Sequence, residues 1–254
     1  MRGRVLGGIM LEYFSRLAAA TSQDDAWKLH CEQMAEFGFD RLLFGYARYC
    51  RPDGSDRTDD VLFLSNHDPA LTRRYVEDGL YRHDPVLNWA ARHVGARSWR
   101  DAMTRAVQDD SRLEKSRSLH SLMNVTAGYS IAFAHPSARC RGFIHLAARP
   151  DLDQDAVDAI WHRDGRLIET MNHILNLKLM ALPRSGQRAP LSERQREALE
   201  WVADGKSYRD IAAIMGVTQA TVEKHLRLAR GKLEVETTAQ AILKAAIQNQ
   251  IFQD

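Results

Sequence analysis

A chain of 254 residues with 44% hydrophobic and 27% charged residues has an ordinary globular composition, enough for one large domain or two of usual size, and excludes a disordered or fibrous chain. Its formal charge of +2 does not by itself mark a nucleic-acid binder, so any basic footprint has to be local. The three cysteines, Cys31, Cys50 and Cys140, show no C-x-x-C spacing, which argues against a disulfide framework or a zinc site and for free thiols in a reducing compartment.

The N-terminus carries two arginines, but the apolar run behind them is too short and broken for a signal peptide. No stretch approaches the ~20 apolar residues of a membrane span. A soluble, cytoplasmic protein without membrane contact is expected, with Met10 as an alternative start and residues 1–9 as a loose extension.

Residues 10–20 and 25–37 place apolar side chains at helical spacing, and Gly38 stands where the second helix should stop. Residues 39–49 turn β-rich and aromatic, 51–60 contain Pro52-Asp53-Gly54 and read as a turn, and 61–64 form a second short strand. Two Asp-Pro pairs follow, Asp68-Pro69 and Asp84-Pro85, with a helix predicted over 71–80 between them. Asp before Pro suits a helix start, because the carboxylate caps free N–H groups and proline has none to leave unpaired. From spacing alone both aspartates read as N-caps.

Residues 97–99 suggest a short strand and 109–122 a polar helix. Residues 129–134 and 142–147 are the clearest strands, joined by a loop at 135–141 short enough for a hairpin. Residues 153–182 repeat apolar side chains every three or four positions, the mark of a long amphipathic helix. Helices, short strands and a closing helix describe an α+β chain whose N-terminal part, 10–181, is an α/β/α sandwich on an antiparallel sheet, able to hold a small ligand between layers. Residues 182–190, with two prolines and a glycine, read as a linker.

Residues 191–254 predict a four-helix helix-turn-helix domain. Ser192 opens a helix that stops at Gly205, Ser207 caps a second over 208–215, Gly216 turns the chain, Thr218 caps a third over 219–232, and Thr237 or Thr238 opens a fourth. The third helix is the candidate DNA reader. Residues 218–232 carry Lys224, Arg227, Arg230 and Lys232 against Glu223, a local net of +3.

The run from Leu191 through Ala241, including Leu199, Gly205, Ile211-Ala212, Thr221-Val222, His225 and Lys232-Leu233, closely resembles the DNA-binding domain of LuxR-type transcriptional regulators. Gln195 departs from the Glu usual there, and Thr238 from the common Arg. The resemblance implies DNA contacts from Thr218, Gln219, Thr221, Lys224, His225, Arg227 and Arg230. A phospho-receiver pattern is not found upstream. GFDRLLFGYARY, YRHDPVL, RSW and AGYSIAFAHP instead resemble the acyl-homoserine-lactone-binding domain of quorum-sensing members.

That second resemblance carries over to Tyr75, Asp84, Pro85, Trp99 and Gly128. It implies that Asp84 accepts the signal's amide N–H, Tyr75 contributes a ring and a hydroxyl, and Trp99 a flat apolar wall. Three positions depart from it. Leu71 replaces a tryptophan that donates to the lactone carbonyl, His67 replaces a tyrosine, and Ala148 falls near a Ser or Thr of the last strand. Either another donor, His67 being the candidate, meets that carbonyl, or the head group differs.

The expected function is a ligand-responsive regulator, sensing an acyl-homoserine lactone and binding a palindromic DNA site as a homodimer, with residues 157–179 and the fourth helix of the DNA domain as dimer surfaces unless those stripes are internal packing. The alternative is a LuxR-type protein that senses a non-lactone signal or acts without ligand. No cofactor, metal site or catalytic residue is expected. An acyl- or lactone-processing enzyme is the remote alternative, since no nucleophile elbow, P-loop, H-E-x-x-H or dinucleotide fingerprint occurs.

Overall fold

The structure, a computed structural model, describes residues 2–47, 61–100, 114, 118, 120–134, 140–182 and 190–252. The predicted turn at 51–60, most of the helix at 109–122, most of the loop at 135–141 and nearly all of the linker at 182–190 lie outside them. The chain divides into two compact units, residues 1–179 and 180–254. No helix among the described residues is long and apolar enough to cross a membrane.

The first unit is built on a five-stranded antiparallel sheet: β1 (Phe39–Ala47), β2 (Val61–Ser65), β3 (Gly95–Ser98), β4 (Gly128–Ala132) and β5 (Arg141–Ala148), in the order β2-β1-β5-β4-β3. Alternation along a strand sends successive side chains to opposite faces. Phe44, Phe133 and Tyr129 face two helices, α2 (Gln23–Glu36) and the long α5 (Gln154–Ala181), and α1 (Arg2–Ala19) packs on α2. There Phe44 meets Trp27, Tyr129 stacks on Trp161 at 4.0 Å, and Phe133 meets His173 edge-on. Leu43, Ser130 and His145 point the other way, towards α3 (Pro69–Glu77), a 3-10 turn (Leu80–His83) and α4 (Pro85–Ala90). The expected α/β/α sandwich is thus present.

Three local expectations change. Helix α1 begins at Arg2, so residues 2–9 continue a helix rather than form a loose extension. The helix predicted over 71–80 ends at Glu77, because Gly79 sits at φ 67 and starts the 3-10 turn. Strand β3 stops at Ser98, which leaves Trp99 beyond the sheet edge. Along the apolar stripe at 157–179, Val157, Ile168, Met171, Leu175 and Leu179 are buried within the unit, Ile160, Trp161, Leu167 and Ile174 are half-buried, and Leu177 beside it is exposed.

Behind the sheet, one buried polar chain crosses the helix layer. Asn172 Nδ2 donates to the Ile168 carbonyl at 2.7 Å, so its Oδ1 is the acceptor for His30 Nε2–H at 3.0 Å. His30 Nδ1 then accepts the Tyr13 hydroxyl at 2.7 Å. Every polar atom of His30 is paired, which is the condition for burying it.

The second unit holds α6 (Glu193–Ala203), α7 (Tyr208–Met215), α8 (Gln219–Lys232) and α9 (Thr238–Ile247). Ser192, Ser207, Thr218 and Thr237 cap all four helices. Gly216, at φ 66, allows the α7–α8 turn. Leu199, Ile211, Val222, Leu226 and Ala241 share one core. The two family departures are absorbed locally. Gln195 keeps the capping box by accepting the Ser192 N–H at 3.0 Å without needing a charge, and Thr238 accepts Arg230 Nη1 at 3.0 Å.

The back-face chain yields a prediction. Asn172→Leu, similar in volume, leaves His30 Nε2 unpaired in a dry site and should lower unfolding free energy by about 1–3 kcal/mol. Urea denaturation followed by circular dichroism checks it; an unchanged midpoint would remove the network from the stability account.

Candidate functional site

The front face of the sheet borders a partly open cavity of about 30 Å³. Its wall includes Tyr75 from α3, Asp84 at the start of α4, Trp99 after β3 and His67 after β2, four of the six residues expected from the sequence. Leu71 is not on that wall. It packs, partly buried, against the cluster of Leu43, Tyr75 and Leu80 that borders it. Ala148 is a correction: strand alternation turns it to the helix side of β5, and His145 is the β5 residue that lines the cavity.

Asp84 is 2% exposed and its carboxylate is held from three directions. Oδ1 accepts the Val86 N–H at 2.8 Å, which is the N-cap predicted from the Asp-Pro pair. Oδ2 accepts the Tyr75 hydroxyl at 2.6 Å and His120 Nε2 at 3.0 Å. Burial works against ionisation, but the His120 bond and charge, then the His145 charge and the Tyr75 bond, outweigh it and hold the carboxyl well below the usual carboxylate range. Tyr75 moves the other way: burial, then the neighbouring Asp84 charge, pushes its pKa well up, so it stays a donor. The cap and the cavity-facing acceptor are therefore one residue in two roles.

A second chain runs from Trp99 Nε1–H to Ser130 Oγ at 2.8 Å and on to His145 Nδ1 at 2.7 Å. Ser130 and His145 pair directly across β4 and β5. Gly128 makes room for this arrangement, because a Cβ there would lie 2.9 Å from the Trp99 ring and collide with the Leu146 carbonyl. Sequence reasoning missed Ser130, His120 and His145. A polar residue at a core-facing strand position was the available signal for His145, whereas nothing local marks His120 as a neighbour of Asp84.

In the second unit, α8 buries Val222, Leu226 and Ala229 and turns Lys224 and Arg227 to solvent. Gln219 is exposed, and Thr221 and His225 are half-buried. Thr218 is committed to the cap, with its hydroxyl accepting the Thr221 N–H at 3.2 Å. Arg230 is half-buried and tied to Thr238, so its guanidinium starts from a fixed position. The exposed cations lie beside Tyr208 of α7 on one concave surface, a geometry suited to phosphates and base edges.

A cavity lined by buried hydrogen-bonding groups, on the same chain as a helix-turn-helix unit with an exposed basic third helix, defines a small-molecule-binding domain joined to a DNA-binding domain. Residues 22–179 match the autoinducer binding domain and residues 189–245 the bacterial regulatory proteins of the luxR family. The chain belongs to the LuxR family of autoinducer-binding transcriptional regulators, which are regulators rather than enzymes. It is 23% identical to the transcriptional activator AnoR of Acinetobacter nosocomialis over 240 residues, 93% of this chain and 96% of AnoR. It is 25% identical to LuxR of Aliivibrio fischeri over 194 residues, 76% of each chain. Escherichia coli SdiA shares the fold with a TM-score of 0.54 at 18% identity, covering 98% of this chain and 100% of SdiA. SdiA in complex with octanoyl-rac-glycerol gives 0.51 at 17% identity over 98% of each chain. The N-acylhomoserine lactone dependent factor CepR2 of Burkholderia cenocepacia gives 0.53 at 20% identity, over 68% of this chain and 95% of CepR2.

Three buried histidines give the first unit an acid-sensitive window. Burial lowers the pKa of His30 and His145 from 6.5 to about 4, and burial with the Arg41 charge does the same to His67. Between those values the unfolded chain takes up protons that the folded one refuses, so stability falls as pH falls. Asp84 acts lower: its depressed pKa adds stability above the usual carboxylate value, lost only in stronger acid. The unfolding free energy from urea titration should therefore drop between about pH 7 and about pH 5, by up to ~1.4 kcal/mol per pH unit for each histidine. His145→Gln, which cannot titrate, should show a shallower fall; an identical slope would place the titration elsewhere.

Proposed function

We propose that this chain is a signal-dependent transcriptional regulator that binds a small acylated signal, foremost an acyl-homoserine lactone, in the cavity over Asp84 and occupies a palindromic promoter site as a dimer in the cytoplasm. The observation that carries this reading is the buried, ionised Asp84. Its oxygens together have about four acceptor positions, three of them used within the protein. An amide N–H suits the fourth, as a charge-assisted bond, and Trp99 and Val86 give the signal an apolar wall. The lactone dependence of CepR2, a protein of the same fold, supports the same choice.

A second reading, a neutral non-lactone signal, is favoured by Leu71, which offers no N–H where the family's indole donor is expected. SdiA in complex with octanoyl-rac-glycerol supports it. In either case a ligand bound only by the folded state stabilises that state by mass action. Leu177 on α5 and Leu243 on α9, 69% and 56% exposed, are apolar groups suited to a partner copy. Two α8 helices then meet half-sites roughly 34 Å apart, one DNA turn.

Two measurements test the proposal. Purified protein should gain melting temperature and dimer fraction with a long-chain acyl-homoserine lactone; no change across a lactone panel sinks the lactone reading and leaves the second. Lys224→Ala should weaken binding to operator and random DNA alike and reduce the salt slope by roughly one. Unaltered affinity and slope would show that Lys224 does not meet phosphate.

A further inference from the structure

Two histidines that line the cavity each keep one buried ring nitrogen with no hydrogen-bond partner among the described residues: Nε2 of His145 and Nδ1 of His120. The bonds on their other nitrogens fix what each one offers. The Trp99 indole N–H can only donate, so Ser130 Oγ accepts it, and among the described residues the acceptor in reach of the hydroxyl's own proton is His145 Nδ1. His145 therefore carries its proton on Nε2 and presents a donor. The Asp84 carboxylate can only accept, so it claims the Nε2 proton of His120, and in the neutral ring Nδ1 presents a lone pair. His30, behind the sheet, has both nitrogens paired within the protein. The two front-face rings are built differently from that structural histidine.

Resting on the reading that this cavity receives the signal, we propose that His145 and His120 read the signal's head group as a donor–acceptor pair. His145 Nε2–H takes a carbonyl oxygen, and His120 Nδ1 takes an O–H or N–H. The carbonyl donor that Leu71 cannot supply thus comes from β5, through Trp99 and Ser130, rather than from His67. The class of head group follows: neutral, with a carbonyl and a hydroxyl or amide N–H close together. A free carboxylate is the wrong class, because it only accepts, leaves His120 Nδ1 unpaired and approaches the ionised Asp84. The present cavity of about 30 Å³ has room for a water or two, so an acyl tail enters by displacing wall side chains.

The test uses the full chain and three probes: octanoyl-glycerol, N-octanoyl-homoserine lactone and octanoate. Ring nitrogen-15 spectra at neutral pH should find His145 protonated on Nε2, and a neutral probe should move both the His145 Nε2 and the His120 Nδ1 signals. By calorimetry octanoate should bind at least about tenfold more weakly than the better neutral probe. His145→Phe should weaken that probe by about tenfold or more, and His145→Gln, which keeps an N–H, should restore much of it. Several results overturn the proposal: a proton on Nδ1 of His145, a neutral probe that binds without moving either signal, octanoate binding as tightly, or His145→Phe binding as well as the wild type. If both neutral probes fail to bind while His145 still shows its Nε2 proton, the cavity reading itself has failed and this proposal falls with it. The spectra of the wild-type protein decide the matter even if a variant does not fold.

Discussion

The front half of the first unit depends on one buried charge. A carboxylate at 2% exposure is tolerated only when its oxygens are paired, and those of Asp84 are paired by groups from three separate segments. Tyr75 arrives from α3, the Val86 N–H from the first turn of α4, and His120 from the stretch before β4. Each partner is distant from the others in sequence or held by a different element. The carboxylate therefore fixes their mutual positions as well as its own ionisation. Without it, two donors and a capped N–H would face a dry cavity with nothing to meet.

The two faces of the sheet show what separates a packed polar group from a receptive one. On the helix side, His30 lies in a closed chain from Tyr13 to Asn172 in which donors and acceptors are matched. On the cavity side, the Trp99–Ser130–His145 chain ends on a nitrogen with no partner among the described residues, and so does the Tyr75–Asp84–His120 group. Burial is similar on the two faces, as is the depressed basicity of His30 and His145. The difference is whether the chain closes. An open end on a cavity wall is where an external group can complete it, since unpaired buried polar atoms are disfavoured.

Much of this was legible in the sequence because it is local. Strand alternation located β4 and β5, the helical period located α5, and capping residues with Gly216 located all four helices of the DNA unit within a residue or two. The Asp-Pro pair announced the Asp84 cap, and the family pattern added its cavity role. What escaped depends on contacts between distant residues. His120 meets Asp84 only because the stretch before β4 folds against α4, and Ser130 meets His145 only through the β4–β5 register. Ala148 was misplaced by three positions along β5, and an odd shift along a strand exchanges faces. The helix over 71–80 was drawn too long because its apolar period continues past Gly79, whose backbone conformation ends it.

The departures from the family pattern are not equivalent in consequence. In the DNA unit, Gln195 still closes a capping box and Thr238 still receives Arg230, so the frame that presents Lys224 and Arg227 is kept by different atoms. In the first unit, no atom of Leu71 can replace an indole N–H. In the proposed reading, imidazoles supply the donor and acceptor of the cavity instead. An imidazole differs from an indole in that its proton can sit on either nitrogen, so its role is set by what its other nitrogen meets. Ser130 and Asp84 set those roles here. In that reading the chemistry that the cavity accepts is set by residues beside the rings as much as by the rings, and Ser130 shares with His145 the setting of its specificity.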